Sequence, residues 1–314
     1  MIGAMARCIV TRKLPFDALE RLRAEHEVEV WRGALPPTPA ELRELAAGTE
    51  GILSMLTDAI DRELIDACPD LRAVANFAVG TDNVDVAYAS ERGIAVGNTP
   101  GVLTETTADL AFALILAVSR RIAEAAESVR RGDWWTWEPA GWLGHDVHGA
   151  TLGIVGPGLI GEAVARRGEG FGMRILRSGR EPGPGRVALD DLLAESDVVS
   201  LHCPLTLETR GLIDEQALMR MKQSAILINT ARGEIVDSEA LRRGLESGWI
   251  AGAGLDVTDP EPLPGYHPLL GAPNLTVVPH IGSASHVTRG RMASMAVDNL
   301  LAGLAGEPMP SPVG

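Results

Sequence analysis

The sequence feature that most constrains the fold is a glycine-rich loop at Gly156–Gly161 that joins an apolar strand to a helix. The strand is predicted at Leu152–Val155, because this run is short and apolar, and the helix follows the loop directly. A Gly-x-Gly-x-x-Gly motif in this position provides a tight turn, close approach of the backbone to a pyrophosphate, and amide donors at a helix N-terminus. Because Pro157 has no amide hydrogen, the expected donors are Leu159 and Ile160. The loop therefore predicts a dinucleotide-binding α/β domain.

Short apolar strands alternate with helix-length segments on both sides of this loop, and the alternation restarts before it. The first series is predicted near residues 8–10, 28–31, 52–56, 71–77 and 94–96. The second is predicted at 151–155, 174–176, 197–201, 225–229, 253–257 and 275–278, after a long apolar helix at 104–122. With 314 residues the chain also exceeds one typical core, so two doubly wound parallel-sheet domains are expected. The final amphipathic stretch, 284–304, has no strand after it and is expected to fold back on the first domain.

Composition excludes several classes of partner. The 42 acidic and 28 basic residues give a net charge of −14, which repels a phosphate backbone, so no nucleic-acid partner is expected. The longest apolar run, residues 110–118, is far shorter than the roughly 20 residues that span a membrane. No secretion signal is evident, and the three cysteines lack paired spacing, so a reducing cytoplasm is expected. His145 and His148 have no further ligands nearby, and no metal site is predicted.

The strand after the glycine loop ends in Arg177-Ser178-Gly179-Arg180, which decides between two cofactors. An acid at this point would bind the adenosine ribose of NAD(H) and repel a 2′-phosphate. Arginine instead suits a phosphate, so NADP(H) is favoured. NAD(H) remains the alternative for two reasons. The arginines would then be solvated residues of a surface loop, and Glu181, which follows Arg180, would be the acid near the adenosine ribose.

Three later strands each end in a reactive residue: Arg232, Glu261 and His280. Taken singly, these residues would suit a surface ion pair, a solvated turn and a hydrogen-bonded core histidine. Together they supply what reduction of a keto acid needs, namely a carboxylate clamp, a proton donor and a group that keeps the donor charged. A carboxylate beside a histidine orients the ring and favours its protonated form. The trio therefore predicts Arg232 as clamp, His280 as acid and Glu261 as its partner.

These segments, with residues 75–85, 97–109 and 202–206, resemble the D-2-hydroxyacid dehydrogenase family, and within it the glyoxylate and hydroxypyruvate reductases. The resemblance implies a flavodoxin-like substrate domain formed by 1–100 and 285–314, and a Rossmann dinucleotide-binding domain at 101–284. It also implies an active site in the cleft between them, with hinge closure over the substrate. Leu159 departs from the family, because many relatives carry an arginine there that reaches the pyrophosphate.

The resemblance further implies particular roles. Val79 and Gly80 would present backbone amides to the substrate carboxylate beside Arg232, and Asp256 would contact the nicotinamide carboxamide. The expected cofactor-binding residues are Thr107, Gly156, Gly158, Leu159, Ile160, Gly161, Arg177, Ser178, Gly179, Arg180, Cys203, Pro204, Thr230, Ala231, Asp256 and Gly282. The expected substrate-binding residues are Leu56, Val79, Gly80, Trp137, Arg232, His280 and Ser283.

The expected reaction is NADPH-dependent reduction of glyoxylate to glycolate or hydroxypyruvate to D-glycerate. One alternative is an NAD-dependent dehydrogenase of another D-2-hydroxy acid such as 3-phosphoglycerate, which would need more basic residues near the substrate. A second is a dinucleotide-sensing co-regulator, although the chain has no long disordered flank for a partner. The family also implies a homodimer, with the Trp137 segment reaching toward the partner's active site or simply filling the dimer contact.

Overall fold

The computed structural model describes residues 5–180, 183 and 185–314, and Glu181 lies outside this part of the chain. The chain forms two compact units. Unit 1 comprises the described residues up to Leu103 together with Ala284–Gly314, and unit 2 comprises Thr104–Ser283. Every strand in both sheets pairs in parallel with its neighbours.

In chain order the strands are β1 (Arg7–Val10), β2 (Glu27–Val30), β3 (Gly51–Ser54), β4 (Ala73–Asn76), β5 (Ala95–Gly97), β6 (Thr151–Val155), β7 (Arg174–Ser178), β8 (Val198–Leu201), β9 (Ile226–Asn229), β10 (Gly252–Leu255) and β11 (Leu275–Val277). The helices are α1 (Glu20–Glu25), α2 (Pro39–Ala46), α3 (Arg62–Ala67), α4 (Val86–Glu91), α5 (Thr104–Ser119), α6 (Ile122–Arg130), α7 (Leu159–Gly170), α8 (Leu189–Glu195), α9 (Glu215–Arg220), α10 (Ser238–Glu246) and α11 (His286–Ala305).

Unit 1 is built on a five-stranded sheet in the order β2-β1-β3-β4-β5, which is the flavodoxin-like order. Two of its three interior strands, β3 and β4, are buried along their whole length, as expected of parallel strands covered on both faces. The C-terminal helix α11 packs against β3, β4 and β5. Ser285 caps the start of α11 by accepting a hydrogen bond from the Thr288 amide, and Gly306 ends it in the left-handed conformation.

Unit 2 is built on a six-stranded sheet in the order β11-β10-β9-β8-β6-β7. The chain leaves β6 toward β7 on one side and continues from β8 onward on the other, so the order reverses beside β6. Ligands of open α/β sheets bind at such a reversal, beyond the carboxyl ends of the strands. Helix α5 packs against α7, β9 and β10, whereas α8, α9 and α10 contribute leucines to the opposite face. The glycine loop follows β6 directly, at the reversal.

The predicted fold class is confirmed: the chain has two doubly wound parallel-sheet units. The helix predicted at 104–122 is instead interrupted, because Arg121 takes a left-handed conformation (φ 53°) that ends α5 at Ser119 and starts α6 at Ile122. The Trp134–Trp137 segment is a loop. Among the described residues, no helix has the length and apolar character needed to cross a membrane. Cys8, Cys68 and Cys203 are all buried and unbridged.

Candidate active site

The glycine loop has two positions at which only glycine fits. Gly156 adopts a φ of 88°, its amide donates to the Ser178 carbonyl at 2.8 Å, and a Cβ there would lie 2.4 Å from the Cys203 nitrogen. A Cβ on Gly161 would lie 2.5 Å from the Gly156 carbonyl oxygen. These contacts bring the loop, the end of β7 and the segment after β8 together. Four residues predicted to contact the cofactor therefore lie in one place: Gly156, Gly161, Ser178 and Cys203.

Gly158 differs from its neighbours because nothing in the described part of the chain lies within 4 Å of where its Cβ would be. It precedes α7 with an extended backbone, and no side chain caps the helix. Helix α7 therefore presents an uncapped N-terminus, with its partial positive charge, beside an open space. A dinucleotide pyrophosphate fits these residues. The Leu159 side chain, 68% exposed, adds no charge there.

Three arginines surround the end of β7, where the cofactor's adenosine end is expected. The half-buried Arg177 forms a bidentate ion pair with Glu162, at 2.8 and 3.0 Å. The Arg180 side chain is 78% exposed and lies 3.7 Å from Glu208. Arg186, which the sequence analysis did not single out, borders the same turn, because a Cβ on Gly179 would lie 3.7 Å from its guanidinium. The sequence signal was present, since Arg186 is the third arginine within ten residues.

The loop after β9 carries Arg232 and is shaped by a buried asparagine. The Asn229 side chain accepts from the Ala231 amide at 3.0 Å and donates to the Arg232 carbonyl at 2.8 Å. Gly233 follows, and a Cβ there would overlap the Thr258 carbonyl at 2.0 Å, so the loop packs tightly on the segment before Glu261. This arrangement leaves the Arg232 guanidinium half-buried, with one donor on the Ala231 carbonyl at 2.8 Å.

Glu261 and His280 form a hydrogen-bonded pair, with Glu261 Oε1 2.7 Å from His280 Nδ1. Their side chains are 33% and 25% exposed. Burial acts to raise the pKa of Glu261, but the hydrogen bond and charge of His280 outweigh it and the net pKa is lowered. An ionised carboxylate can only accept, so Nδ1 carries the proton of this bond. The other ring nitrogen, Nε2, has no partner within the described part of the chain.

Asp256 fixes the backbone on either side of His280. One carboxylate oxygen accepts from the Ile281 amide at 2.6 Å and the other from the Gly282 amide at 2.8 Å, while the Asp256 carbonyl accepts from the His280 amide at 2.9 Å. Burial raises the pKa of Asp256 despite these two amide bonds. A Cβ on Gly282 would lie 2.9 Å from the Asp256 carboxylate and 3.3 Å from Thr107, so these three predicted cofactor residues lie together.

His202 is a further titratable group near the predicted cofactor residues. Burial of the ring lowers the pKa of His202 to about 3, so the ring is neutral. One ring nitrogen pairs with the Ser200 hydroxyl at 2.8 Å and the other lies 3.5 Å from the Thr230 hydroxyl. His202 therefore joins the ends of β8 and β9 through its two ring nitrogens.

The remaining predicted residues lie on loops of the two units. Pro204 is exposed after Cys203, Trp137 is 78% exposed in the loop after α6, and Ser283 is half-buried. In unit 1, Leu56 is half-buried after β3, and Val79 and Gly80 follow β4. Within residues 5–180, 183 and 185–314, no group of three or more His, Cys, Asp or Glu could hold a metal ion.

Comparison with known proteins assigns the family. Residues 112–282 match the family "D-isomer specific 2-hydroxyacid dehydrogenase, NAD binding domain". A glyoxylate reductase of Korarchaeum cryptofilum is 51% identical over 97% of this chain and 95% of its own length. The chain belongs to the D-isomer specific 2-hydroxyacid dehydrogenases.

Solved structures agree with this assignment. The TT0316 protein of Thermus thermophilus superimposes on the dehydrogenase with a TM-score of 0.94 and 52% identity, covering 98% of this chain and 100% of that one. An NADPH-dependent glyoxylate/hydroxypyruvate reductase of Sinorhizobium meliloti, crystallised with NADP and malonate, gives a TM-score of 0.87 and 36% identity, covering 99% and 97%. The dehydrogenase is therefore an NAD(P)-dependent oxidoreductase with a nicotinamide dinucleotide cofactor, and the predicted family is confirmed.

Proposed function

We propose that this dehydrogenase reduces glyoxylate to glycolate and hydroxypyruvate to D-glycerate, with NADPH as the preferred reductant. The observation that carries the proposal is the 2.7 Å Glu261–His280 pair, in which Nε2 has no partner in the described chain. The pair occurs in a chain that is 51% identical to a glyoxylate reductase. The dinucleotide, when bound, supplies a hydride to the carbonyl carbon of the keto acid.

His280 is the proposed proton donor to the carbonyl oxygen. Glu261 accepts the Nδ1 hydrogen bond, so the protonated ring presents Nε2–H as its remaining donor. The lowered pKa of Glu261 keeps this carboxylate charged at neutral pH, so that it stays the acceptor of the Nδ1 hydrogen bond and orients the ring for proton transfer. After the transfer His280 is neutral, and a proton from solvent restores it.

The substrate carboxylate needs donors of its own, because the overall charge of −14 does not attract an anion. We assign it to the guanidinium of Arg232 and to the amides of Val79 and Gly80. An arginine can bind a carboxylate bidentately, which fixes orientation as well as charge. Leu56, Trp137 and Ser283 are proposed to border the substrate.

The preference for NADPH is proposed from the turn after β7. Arg180 is the guanidinium assigned to the 2′-phosphate, because it is exposed and its ion pair with Glu208 is long, at 3.7 Å. Arg177 is held by Glu162, so its proposed contribution is to shape the turn that carries Ser178 and Gly179. A relative from Sinorhizobium meliloti is described as NADPH-dependent and was crystallised with NADP.

We also propose domain bounds, further cofactor contacts and a homodimer. We assign the substrate domain to 1–100 with 285–314 and the dinucleotide domain to 101–284. The cofactor is proposed to lie along the remaining predicted residues, which are Thr107, Gly156, Gly158, Leu159, Ile160, Gly161, Cys203, Pro204, Thr230, Ala231, Asp256 and Gly282. A homodimer is proposed as well, and the exposed Trp134, Trp135 and Trp137 offer it apolar surface. A cytoplasmic location stays a prediction.

Steady-state kinetics test the function directly. Glyoxylate, hydroxypyruvate, pyruvate and phenylpyruvate are each offered with NADPH and with NADH, and loss of reduced-nicotinamide absorbance is followed. We expect the highest kcat/KM with glyoxylate or hydroxypyruvate and NADPH. Oxidation of D-3-phosphoglycerate with NAD in place of these activities would support the alternative dehydrogenase, and no turnover of any 2-keto acid would overturn the proposal.

A further inference from the structure

Three successive carbonyls in the loop after β4, at Ala78–Gly80, are each held by a donor from elsewhere in unit 1. The Ala78 carbonyl accepts from the Thr99 amide at 2.9 Å, and the Val79 carbonyl accepts from the Asn98 side chain (Nδ2) at 2.7 Å. The Gly80 carbonyl accepts from the Asn76 side chain (Nδ2) at 3.0 Å. By contrast, the amides of Val79 and Gly80 have no acceptor in the described part of the chain. The loop therefore has fixed acceptors and open donors.

Peptide geometry determines which amide each of these bonds orients. The carbonyl of one residue and the N–H of the next share a planar trans peptide group and point in opposite directions. Asn98, by holding the Val79 carbonyl, fixes the plane that carries the Gly80 amide. Thr99, by holding the Ala78 carbonyl, fixes the plane that carries the Val79 amide. A donor on the carbonyl also polarises the peptide group and makes its N–H a stronger donor.

Asn98 is itself held in place by the C-terminal segment. Its amide donates to the Ser311 carbonyl at 3.1 Å, and its carbonyl accepts from the fully buried Asn299 side chain on α11 at 2.8 Å. Gly97 allows this approach, because a Cβ there would lie 2.8 Å from the Asn299 side chain. The backbone of Asn98 is thus fixed independently of its side chain, which is free to hold Val79.

The open amides are accessible to a small ligand. Val79 is 36% exposed, and Gly80 is half-buried and has no side chain to cover its N–H. Two adjacent N–H groups with no acceptor form a site for an anion, as in other backbone concavities. A carboxylate, with two oxygens, matches a pair of donors.

We propose that Asn98 is a positioning residue for substrate binding: its side chain, through the Val79 carbonyl, directs the Gly80 amide at the carboxylate of the 2-keto acid. The inference rests on the proposed function, which assigns that carboxylate to Val79 and Gly80. Asn76 supports the far side of the same loop. It is fully buried and also bonds Ser54 and Asn83, so its loss would disturb folding more widely, and Asn98 is the residue to test.

The test compares Asn98→Ala with wild type and with Thr38→Ala, all as the full chain. Thr38 is a suitable control because it also lies in unit 1 and loses side-chain hydrogen bonds, to Glu41 at the start of α2. Measurements are the KM for glyoxylate, the KM for NADPH, the Kd of oxamate in the presence of NADPH, and the Tm. Oxamate carries the carboxylate but is not reduced, so its Kd reports carboxylate binding without turnover.

Asn98→Ala is expected to raise the glyoxylate KM and the oxamate Kd about tenfold, the order of one lost hydrogen bond to a charged group. The NADPH KM should stay within about twofold, and Thr38→Ala should lower only the Tm. Asn98→Asp, which keeps the size but loses the donor, serves if the alanine variant does not fold, and the same two constants should rise.

Two results separate the failure of this inference from failure of the proposed function. If wild type reduces glyoxylate but the KM and Kd are unchanged in both Asn98 variants, the positioning role is overturned and the function stands. If wild type reduces no 2-keto acid yet binds oxamate, and Asn98→Ala weakens that binding, the function fails and the positioning role stands.

Discussion

Replacing Gly158 by alanine should separate cofactor binding from folding. Gly158 has an extended backbone (φ −86°, ψ −162°) that alanine can adopt, and a Cβ there would have no described residue within 4 Å. Folding should therefore tolerate the methyl group, and reduced freedom of the unfolded chain stabilises such a variant by about 0.4–1 kcal/mol. The same methyl group would occupy the space that we propose for the dinucleotide pyrophosphate.

We expect Gly158→Ala to lose close contact between the backbone of the glycine loop and the phosphates of NADPH. Hydrogen bonds to a charged group contribute about 1.5–3 kcal/mol each, so losing one raises the NADPH Kd by roughly 10- to 150-fold. Fluorescence titration with NADPH measures the Kd, and differential scanning calorimetry measures the Tm. We expect the Kd to rise in this range while the Tm stays equal to or slightly above that of wild type.

Two matched variants control this experiment. Gly170→Ala makes the same change at the other end of α7, about 18 Å away along the helix, where a Cβ also meets no described residue within 4 Å. It should leave the NADPH Kd unchanged. Gly156→Ala should lower the Tm, because of its φ of 88° and the 2.4 Å approach to the Cys203 nitrogen. Wild-type NADPH affinity in Gly158→Ala would refute the placement of the pyrophosphate on this loop.

Three further predictions concern charged groups. Arg180→Asp should raise the NADPH KM roughly tenfold or more, because a charge-assisted bond is lost, and should leave the NADH KM nearly unchanged. If the ratio of the two KM values stayed as in wild type, the 2′-phosphate would have to lie elsewhere. His280→Ala should lower kcat by roughly 10²–10⁴-fold with little change in the NADPH KM, and near-normal turnover would remove it as the acid. The pKa of Glu261 is lower in the folded protein than in the unfolded chain. Its ion pair therefore stabilises the folded state at pH values above the unfolded pKa, and this stabilisation is lost as the pH falls through the folded-state pKa. The Tm of wild type should therefore decline more than that of Glu261→Gln from neutral to acidic pH, and parallel declines would contradict this.

The sequence predicts the fold well because the features that specify it are local. Strands such as Ile226–Asn229 are buried on both faces and therefore appear as short continuous apolar runs. The glycine loop is also local, since its turn, its helix and its preceding strand are contiguous in sequence. The interruption at Arg121 could not be predicted in this way, because nothing nearby in the sequence marks a left-handed residue there.

The side-chain partners were harder to predict, because they join residues far apart in the chain. Arg177 was expected to bind the cofactor, and its ion pair with Glu162, fifteen residues earlier, was not predicted. The contact between Asn98 and the Val79 carbonyl was not predicted either, because Asn98 lies 19 residues after Val79. Such pairings depend on the register of neighbouring strand ends. The signal for Asn98 was a polar residue close to the end of a strand, as Arg232 and His280 are close to the ends of β9 and β11.

His280 itself shows why the residues around it matter as much as the trio. Its φ of 51° lies in the left-handed region, which costs a non-glycine residue of order 1–3 kcal/mol unless the surroundings impose it. Asp256 supplies that constraint, because its carbonyl and both carboxylate oxygens accept the amides of residues 280–282. Each carboxylate oxygen keeps a second lone pair, so a contact with the nicotinamide carboxamide is compatible with this role. One buried carboxylate can thus hold the proposed acid in its unusual conformation and face the cofactor, which links the geometry of proton transfer to that of hydride transfer.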